Sequence, residues 1–207
     1  MSRIIDISPP IRPSLAVWPG DTPFRQDFLA RMDQGANLDL SRITSTLHLG
    51  AHADGPRHYG LGAAGIGERP LEPYLGPCQG IVVRVSPGAR ILPSDLSEPI
   101  SAPRVLLCTR SFPDPDRFNE DFAALSPALV DHLAAAGVLL VGIDTPSIDP
   151  FASKALESHQ AVLRHDLSVL EGLVLDHVQP GLYTLVALPL RILDGDASPV
   201  RAVLLAD

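Results

Sequence analysis

Six short runs of aliphatic and β-branched residues mark the chain, at 3–7, 80–85, 104–109, 138–143, 183–188 and 200–205, each bounded by proline, glycine or charged residues. Runs of this length with those boundaries predict strands rather than helices. Residues 138–143 are apolar throughout, the pattern of a central strand buried on both faces. Helical signals are fewer. Ser126 suits a helix cap, Pro127 the first helical position, and Gly137 a left-handed stop after three alanines, with Leu129, Leu133 and Ala136 facing inward. A second helix is predicted from about Ser158 to His165, after Asp149-Pro150. Many strands and few helices imply a compact α/β or α+β domain.

Neither repeats nor an internal linker are visible, and 207 residues suit one substantial core better than two, so residues 1–207 read as a single domain. An apolar fraction of 45% with 19% charged residues fits a folded globular chain, and 21 prolines suggest many rigid loops. The net charge of −8 argues against a phosphate backbone or an anionic membrane surface as partner and favours a small molecule. The first ten residues lack a signal-peptide core and no apolar run is long enough to span a bilayer, so a cytoplasmic location is expected. Cys78 and Cys108 are too few and too separated for a zinc knuckle or a disulfide framework and read as buried free thiols.

The chemistry concentrates in His48-Leu49-Gly50-Ala51-His52-Ala53-Asp54-Gly55-Pro56-Arg57-His58, where three of the chain's seven histidines and a carboxylate fall within eleven positions. Imidazole with carboxylate is a ligand set for zinc, manganese or iron. On a straight strand His48 and His52 would lie roughly 13 Å apart, at about 3.3 Å per residue. A helix would pair them, but Gly50 weakens it, Pro56 breaks it and Asp54 would point away. A bent loop remains, with a short strand expected at 45–49. The zinc-protease pattern H-E-x-x-H fails because Leu49 stands in the glutamate's place. His58 is open to three roles: ligand, exposed loop residue, or acid/base group, which the ordinary histidine pKa favours.

Other residues carry weaker signals. Gly60-Leu61-Gly62-Ala63-Ala64-Gly65 spells the dinucleotide fingerprint, yet Pro70 and Pro73 follow and position 80 is glycine rather than acidic, so a flexible loop is expected. His159 and Glu171 are candidate distal ligands, with His165 a competitor and His132 and His177 read as structural. Trp18, the only tryptophan, is either core or an aromatic wall for a flat substrate. Asp144 either caps Thr145-Pro146 or anchors a ligating histidine, with the structural role favoured.

With these residues in view, the chain resembles the cyclase-like metal-dependent hydrolases, whose pattern H-x-G-T-H-x-D-x-P-x-H reads here from His48 to His58, with Ala51 in place of the threonine. Segments 17–24, 141–147, 170–172 and 196–204 extend the likeness and point to the kynurenine formamidase (arylformamidase) branch. The resemblance implies an α/β fold, a single swivelling β/β/α-type domain with a mixed sheet and few helices, assembled as a homodimer. It implies two zinc ions per subunit: one held by His48, His52 and Asp54, a second completed by His159, with Asp54 and Glu171 bridging. His58 would donate and accept protons and Trp18 would touch the substrate. The implied reaction is hydrolysis of N-formyl-L-kynurenine to L-kynurenine and formate, a step of tryptophan breakdown. The rivals are another amide or lactam hydrolase of the isatin-hydrolase kind and a non-catalytic protein that binds a metal or small ligand. Histidine and carboxylate ligands suit manganese as well as zinc.

Overall fold

The computed structural model, which describes residues 3–206, has more strands than the apolar runs predict. In chain order they are β1 (Arg3–Asp6), β2 (Arg25–Ala30), β3 (Leu40–Thr44), β4 (His52–Asp54), β5 (Leu75–Val82), β6 (Arg90–Ile91), β7 (Arg104–Cys108) and β8 (Ala124–Leu125). Helix α1 (Pro127–Ala135), β9 (Leu140–Ile143), α2 (Glu157–His165), β10 (Ser168–Glu171), β11 (Gly181–Val186), β12 (Ala197–Pro199) and β13 (Val203–Ala206) follow. Nine strands join in one curled sheet of order β1-β13-β11-β5-β7-β9-β10-β4-β12. Its centre, β5-β7-β9-β10, is parallel, and β4 runs antiparallel to β10 with His52 opposite Glu171. The fold is therefore α/β, with a large mixed sheet and two α-helices.

Both faces of the central strands are buried. On one, Val105, Leu107, Val141, Ile143 and Val169 pack under Leu129, Val130 and Leu133 of α1 and Ala161 and Val162 of α2. On the other, Ala53, Leu106, Leu140 and Leu170 meet Ile7, Tyr74, Leu173, Leu185 and Leu204. A residue pair on successive strand positions thus serves opposite cores. Helix α1 begins as the sequence indicates, with the Ser126 hydroxyl accepting from the Leu129 N–H at 3.0 Å and Gly137 left-handed at φ 79°. Its inner face differs at one position: Ala136 is exposed and Val130 is buried instead.

Several boundaries shift for local reasons. Strand β5 starts at Leu75 rather than residue 80, despite Pro77, because β7 joins it only from Gln79 onward and the missing proline N–H interrupts no bond to β7. Strand β9 starts at Leu140 because Leu139 turns outward and donates its N–H to the Pro103 carbonyl at 2.8 Å. The expected strand at 45–49 is absent. There the chain bends, with the His48 N–H donating to the Thr46 hydroxyl at 3.2 Å, and the strand follows at His52–Asp54. Strands β2 and β3 form a separate hairpin that leaves Phe28, Leu29 and Ile43 exposed. Cys78 and Cys108 are buried free thiols, pushed by burial up to about 12 and about 11. Among the described residues, no helix is long and apolar enough to cross a membrane.

Candidate metal centre

At the carboxyl edge of the parallel strands the chain turns at Thr109 and Arg110 after β7, at Asp144 after β9 and at Glu171 ending β10, while β4 begins with His52. Ligand sites of open α/β sheets form at this edge. Gly50, left-handed at φ 56°, folds the chain back so that His48 reaches Asp54, its Nδ1 3.2 Å from Oδ1. The Gly50 carbonyl oxygen lies 2.8 Å from His52 Nδ1. A carbonyl only accepts, so Nδ1 carries the proton and Nε2 presents its lone pair inward.

Helix α2 supplies His159 from the layer above. Asp149 stands in for a cap on this helix: its carboxylate accepts the N–H groups of Ser158 at 3.1 Å and His159 at 3.0 Å. The same carboxylate lies 2.8 Å from His159 Nδ1 and accepts from the Arg90 guanidinium at 2.9 Å. Burial would raise the Asp149 carboxyl, but the His159 ring and these backbone donors bring it down to about 2.

The two buried carboxylates each divide their oxygens between two imidazoles. Asp54 Oδ1 lies 3.5 Å from His52 Nε2 and Oδ2 3.3 Å from His159 Nε2. Glu171 Oε2 lies 3.3 Å from His52 Nε2 and Oε1 3.4 Å from His159 Nε2. Despite these approaches, His52 Nε2, His159 Nε2 and both Asp54 oxygens are buried without a hydrogen bond. Groups of this kind are normally satisfied, and a converging set of lone pairs is what a divalent cation requires. Donor atoms of His52, Asp54 and Glu171 form one possible cage and those of His48, Asp54 and His58 another. The residues present therefore fit a metal.

The electrostatics tell the same story. Burial disfavours a charged His48, yet the Asp54 carboxylate outweighs it and the ring is raised to about 9. Burial likewise opposes charge on His159, but Asp149, Asp54 and Glu171 hold it well above the ordinary histidine range. Burial pushes Asp54 up while the adjacent His159 and His48 rings bring it well below the usual carboxylate range. Two buried carboxylates demand positive charge, and protons on the rings supply it when no cation does. His58 differs: burial lowers its pKa, keeping the ring neutral near pH 7. It lies beside His48, ring centroids 4.2 Å apart, with Nδ1 4.0 Å from Asp196.

A cavity of about 700 Å³ opens over this floor, lined by His48, His52, His58, His159 and Glu171 below and by Trp18, Phe112 and Phe118 at the side. Trp18 is half-buried at the cavity wall and lies outside the buried core. Its ring packs against Phe118 at 5.5 Å and Phe151 at 5.0 Å, and it also faces the cavity.

All five candidate ligands, His58 and Trp18 thus converge on one cavity or its floor. The rival His165 is remote, pairing with Asp131 at 2.7 Å, and His177 meets the Asp6 carbonyl at 2.9 Å. Asp144 neither caps residues 145–146 nor touches a histidine: it accepts from the N–H groups of Thr109 and Arg110, each at 2.8 Å. The glycine-rich loop lines no part of the cavity and is bound at its end to residues 192–195, Ile66 donating to Gly195 at 2.8 Å. Sequence reasoning misses Asp149, Arg90, Arg110 and Asp196. An aspartate before Pro150 reads as a turn former; its spacing of ten from His159 carries no periodic signal.

Residues 5–150 match the Cyclase family, and the chain belongs to that family of hydrolases. Its relatives include the kynurenine formamidases of Bordetella avium (strain 197N) and Bordetella pertussis, each 48% identical over 206 residues, covering 99% of this chain and 98% of the relative. A solved structure described as a potential metal-dependent hydrolase with cyclase activity superposes with a TM-score of 0.86 at 26% identity, covering 100% of this chain and 99% of its own. Isatin hydrolase A from Labrenzia aggregata shares the fold with a TM-score of 0.82 at 22% identity, over 99% of this chain and 94% of its own.

Proposed function

We propose that this chain hydrolyses the formamide of N-formyl-L-kynurenine to L-kynurenine and formate in tryptophan breakdown, using two zinc ions per subunit. The observation that carries the reading is the sharing of Asp54 and Glu171 between opposed imidazoles. A carboxylate with one oxygen toward each of two donors suits a bridge, so His48, His52 and Asp54 would hold one ion and His159 the other, with Asp54 and Glu171 common to both. The names of the relatives at 48% identity support the substrate.

A formamide resists water because amide resonance quenches its carbonyl. Bound divalent metal supplies a lowered pKa for water and polarises a carbonyl oxygen. The chain's own side chains do the rest. His58, neutral and open to the cavity, takes a proton from the attacking water and returns it to the departing aniline nitrogen. Trp18 and Phe118 offer an aromatic wall to the substrate ring, and their mutual packing holds the wall in place.

The whole chain acts as one domain in this reading, since the sheet takes strands from both termini. Exposed Phe28, Leu29, Met32 and Ile43 on the β2–β3 hairpin support a homodimer, and buried free thiols suit the reducing cytoplasm. The test is metal analysis paired with formate release from N-formyl-L-kynurenine. Two zinc equivalents and formate are expected. Two equivalents of manganese would change the metal, and opening of isatin without formamide cleavage would move the substrate to a lactam. One ion without hydrolysis would leave only a metal-binding protein.

A further inference from the structure

The proposed substrate carries an α-amino acid group at the far end from its formamide, and that end brings a carboxylate into a cavity whose lining already includes Asp21, Asp144, Asp176 and Glu171. An anion there needs a cation. Among the described residues, Arg110 is the only arginine or lysine in the lining. It sits just past the end of β7, at the same carboxyl edge of the sheet as Glu171, so Arg110 and the metal floor line one opening.

The backbone is unusual there too, a feature it shares among the non-glycine lining residues with Leu156 at φ 48°. Arg110 has φ 58°, a left-handed conformation that glycine adopts freely and arginine does not. Buried Asp144 holds it there, accepting the Thr109 hydroxyl at 2.6 Å and the Thr109 and Arg110 N–H groups at 2.8 Å. A strained residue kept in place by a dedicated carboxylate is found where a side chain must be aimed. We infer that Arg110 binds the α-carboxylate of the substrate and so selects aryl formamides that carry an amino acid tail. This rests on the formamidase reading above and extends it to the end of the substrate remote from the chemistry.

The experiment compares kcat/KM for N-formyl-L-kynurenine with that for formanilide, which has the aryl formamide and no tail, in the metal-loaded wild type and in Arg110→Gly and Arg110→Lys. Glycine suits the left-handed backbone, so its variant removes the guanidinium without burdening the fold. The wild-type preference for the tailed substrate should fall about 10- to 100-fold in Arg110→Gly, through KM, the range expected of a charge-assisted pair. Arg110→Lys should recover part of it, because lysine keeps the charge and loses the two-pronged geometry. A preference that survives Arg110→Gly, or a loss shared equally by both substrates, overturns the assignment. Wild type that releases formate from both compounds equally well overturns it while the formamidase reading stands. Release from neither overturns both.

Discussion

His52 and His159 face the same two carboxylates from opposite sides, and each has its outer nitrogen Nδ1 2.8 Å from an oxygen. For His52 that oxygen is the neutral carbonyl of Gly50, two residues away. For His159 it is the buried carboxylate of Asp149, ten residues away and itself held by Arg90. A carbonyl orients a ring and sets its tautomer; a carboxylate also adds charge and makes the ring a stronger donor. One half of the centre is therefore rigid through local chain geometry, and the other depends on an ionic network assembled from separate elements.

The harshest test removes what the halves share. Asp54→Ala should drop metal content from two equivalents to below one, measured by mass spectrometry, and abolish formate release; two retained equivalents would mean the halves do not share that carboxylate. Next, His58→Ala should lower turnover about 10²–10⁴-fold with metal content intact. Loss of an equivalent would instead add His58 to the local half, beside His48 and Asp54.

Asp149→Asn should weaken metal binding by about 10- to 100-fold at one site and spare the other, read by calorimetric titration. Its counterpart on the local side is Gly172→Ala. Gly172 is left-handed at φ 65°, and a Cβ there would lie 2.2 Å from the Gly50 oxygen, displacing the carbonyl that holds His52. That variant should weaken the opposite site. If both substitutions weaken both sites alike, the two supports are not distinct.

The smallest effect is on the stability of the metal-free protein. His48 keeps its proton up to about 9 against 6.5, so its contribution is complete below pH 6.5 and fades as pH rises through 9. Asp149 is held at about 2 against 3.8, so its contribution is complete above pH 3.8 and fades as pH falls through 2. From these two groups, the melting temperature should be highest between 3.8 and 6.5 and decline by several degrees on either side. Asp149→Asn should flatten the acid side and, because Asp149 also helps hold the His159 proton, soften the alkaline side; a melting temperature unchanged from pH 6.5 to 9 in the parent protein would contradict the His48–Asp54 pair.

The same division governs what the sequence reveals. The local half is legible because three imidazoles and a carboxylate crowd eleven positions and Gly50 and Pro56 exclude the regular alternatives. The distal half is not. His159 and Glu171 are isolated residues that approach the bend only through antiparallel pairing of β10 with β4 and the packing of α2, contacts no local pattern encodes, and only the family resemblance points to them. Strand β4 hides because its His-Ala-Asp sequence points polar side chains into a buried centre, which inverts the usual alternation. The hairpin β2–β3 hides for the opposite reason: nearly all its residues are exposed, so burial imposes no period. The buried strands β7 and β9 and the helices α1 and α2 are among the elements whose local signals and tertiary environment agree.

Strand β4 lies between β10 and β12, so the segment bearing His52 and Asp54 gains its first neighbour from residues 168–171 and its second from 197–199. During translation at about 5–20 residues per second, that segment waits on the order of ten seconds outside the ribosome before anything can pair with it. The last residue that lines the cavity is Asp176, so the cavity wall is complete in sequence before β12 is made, and β12 then backs β4 on its other edge. A chain truncated before residue 197 would keep every residue that lines the cavity and lose only the strand that braces His52–Asp54 from the outside.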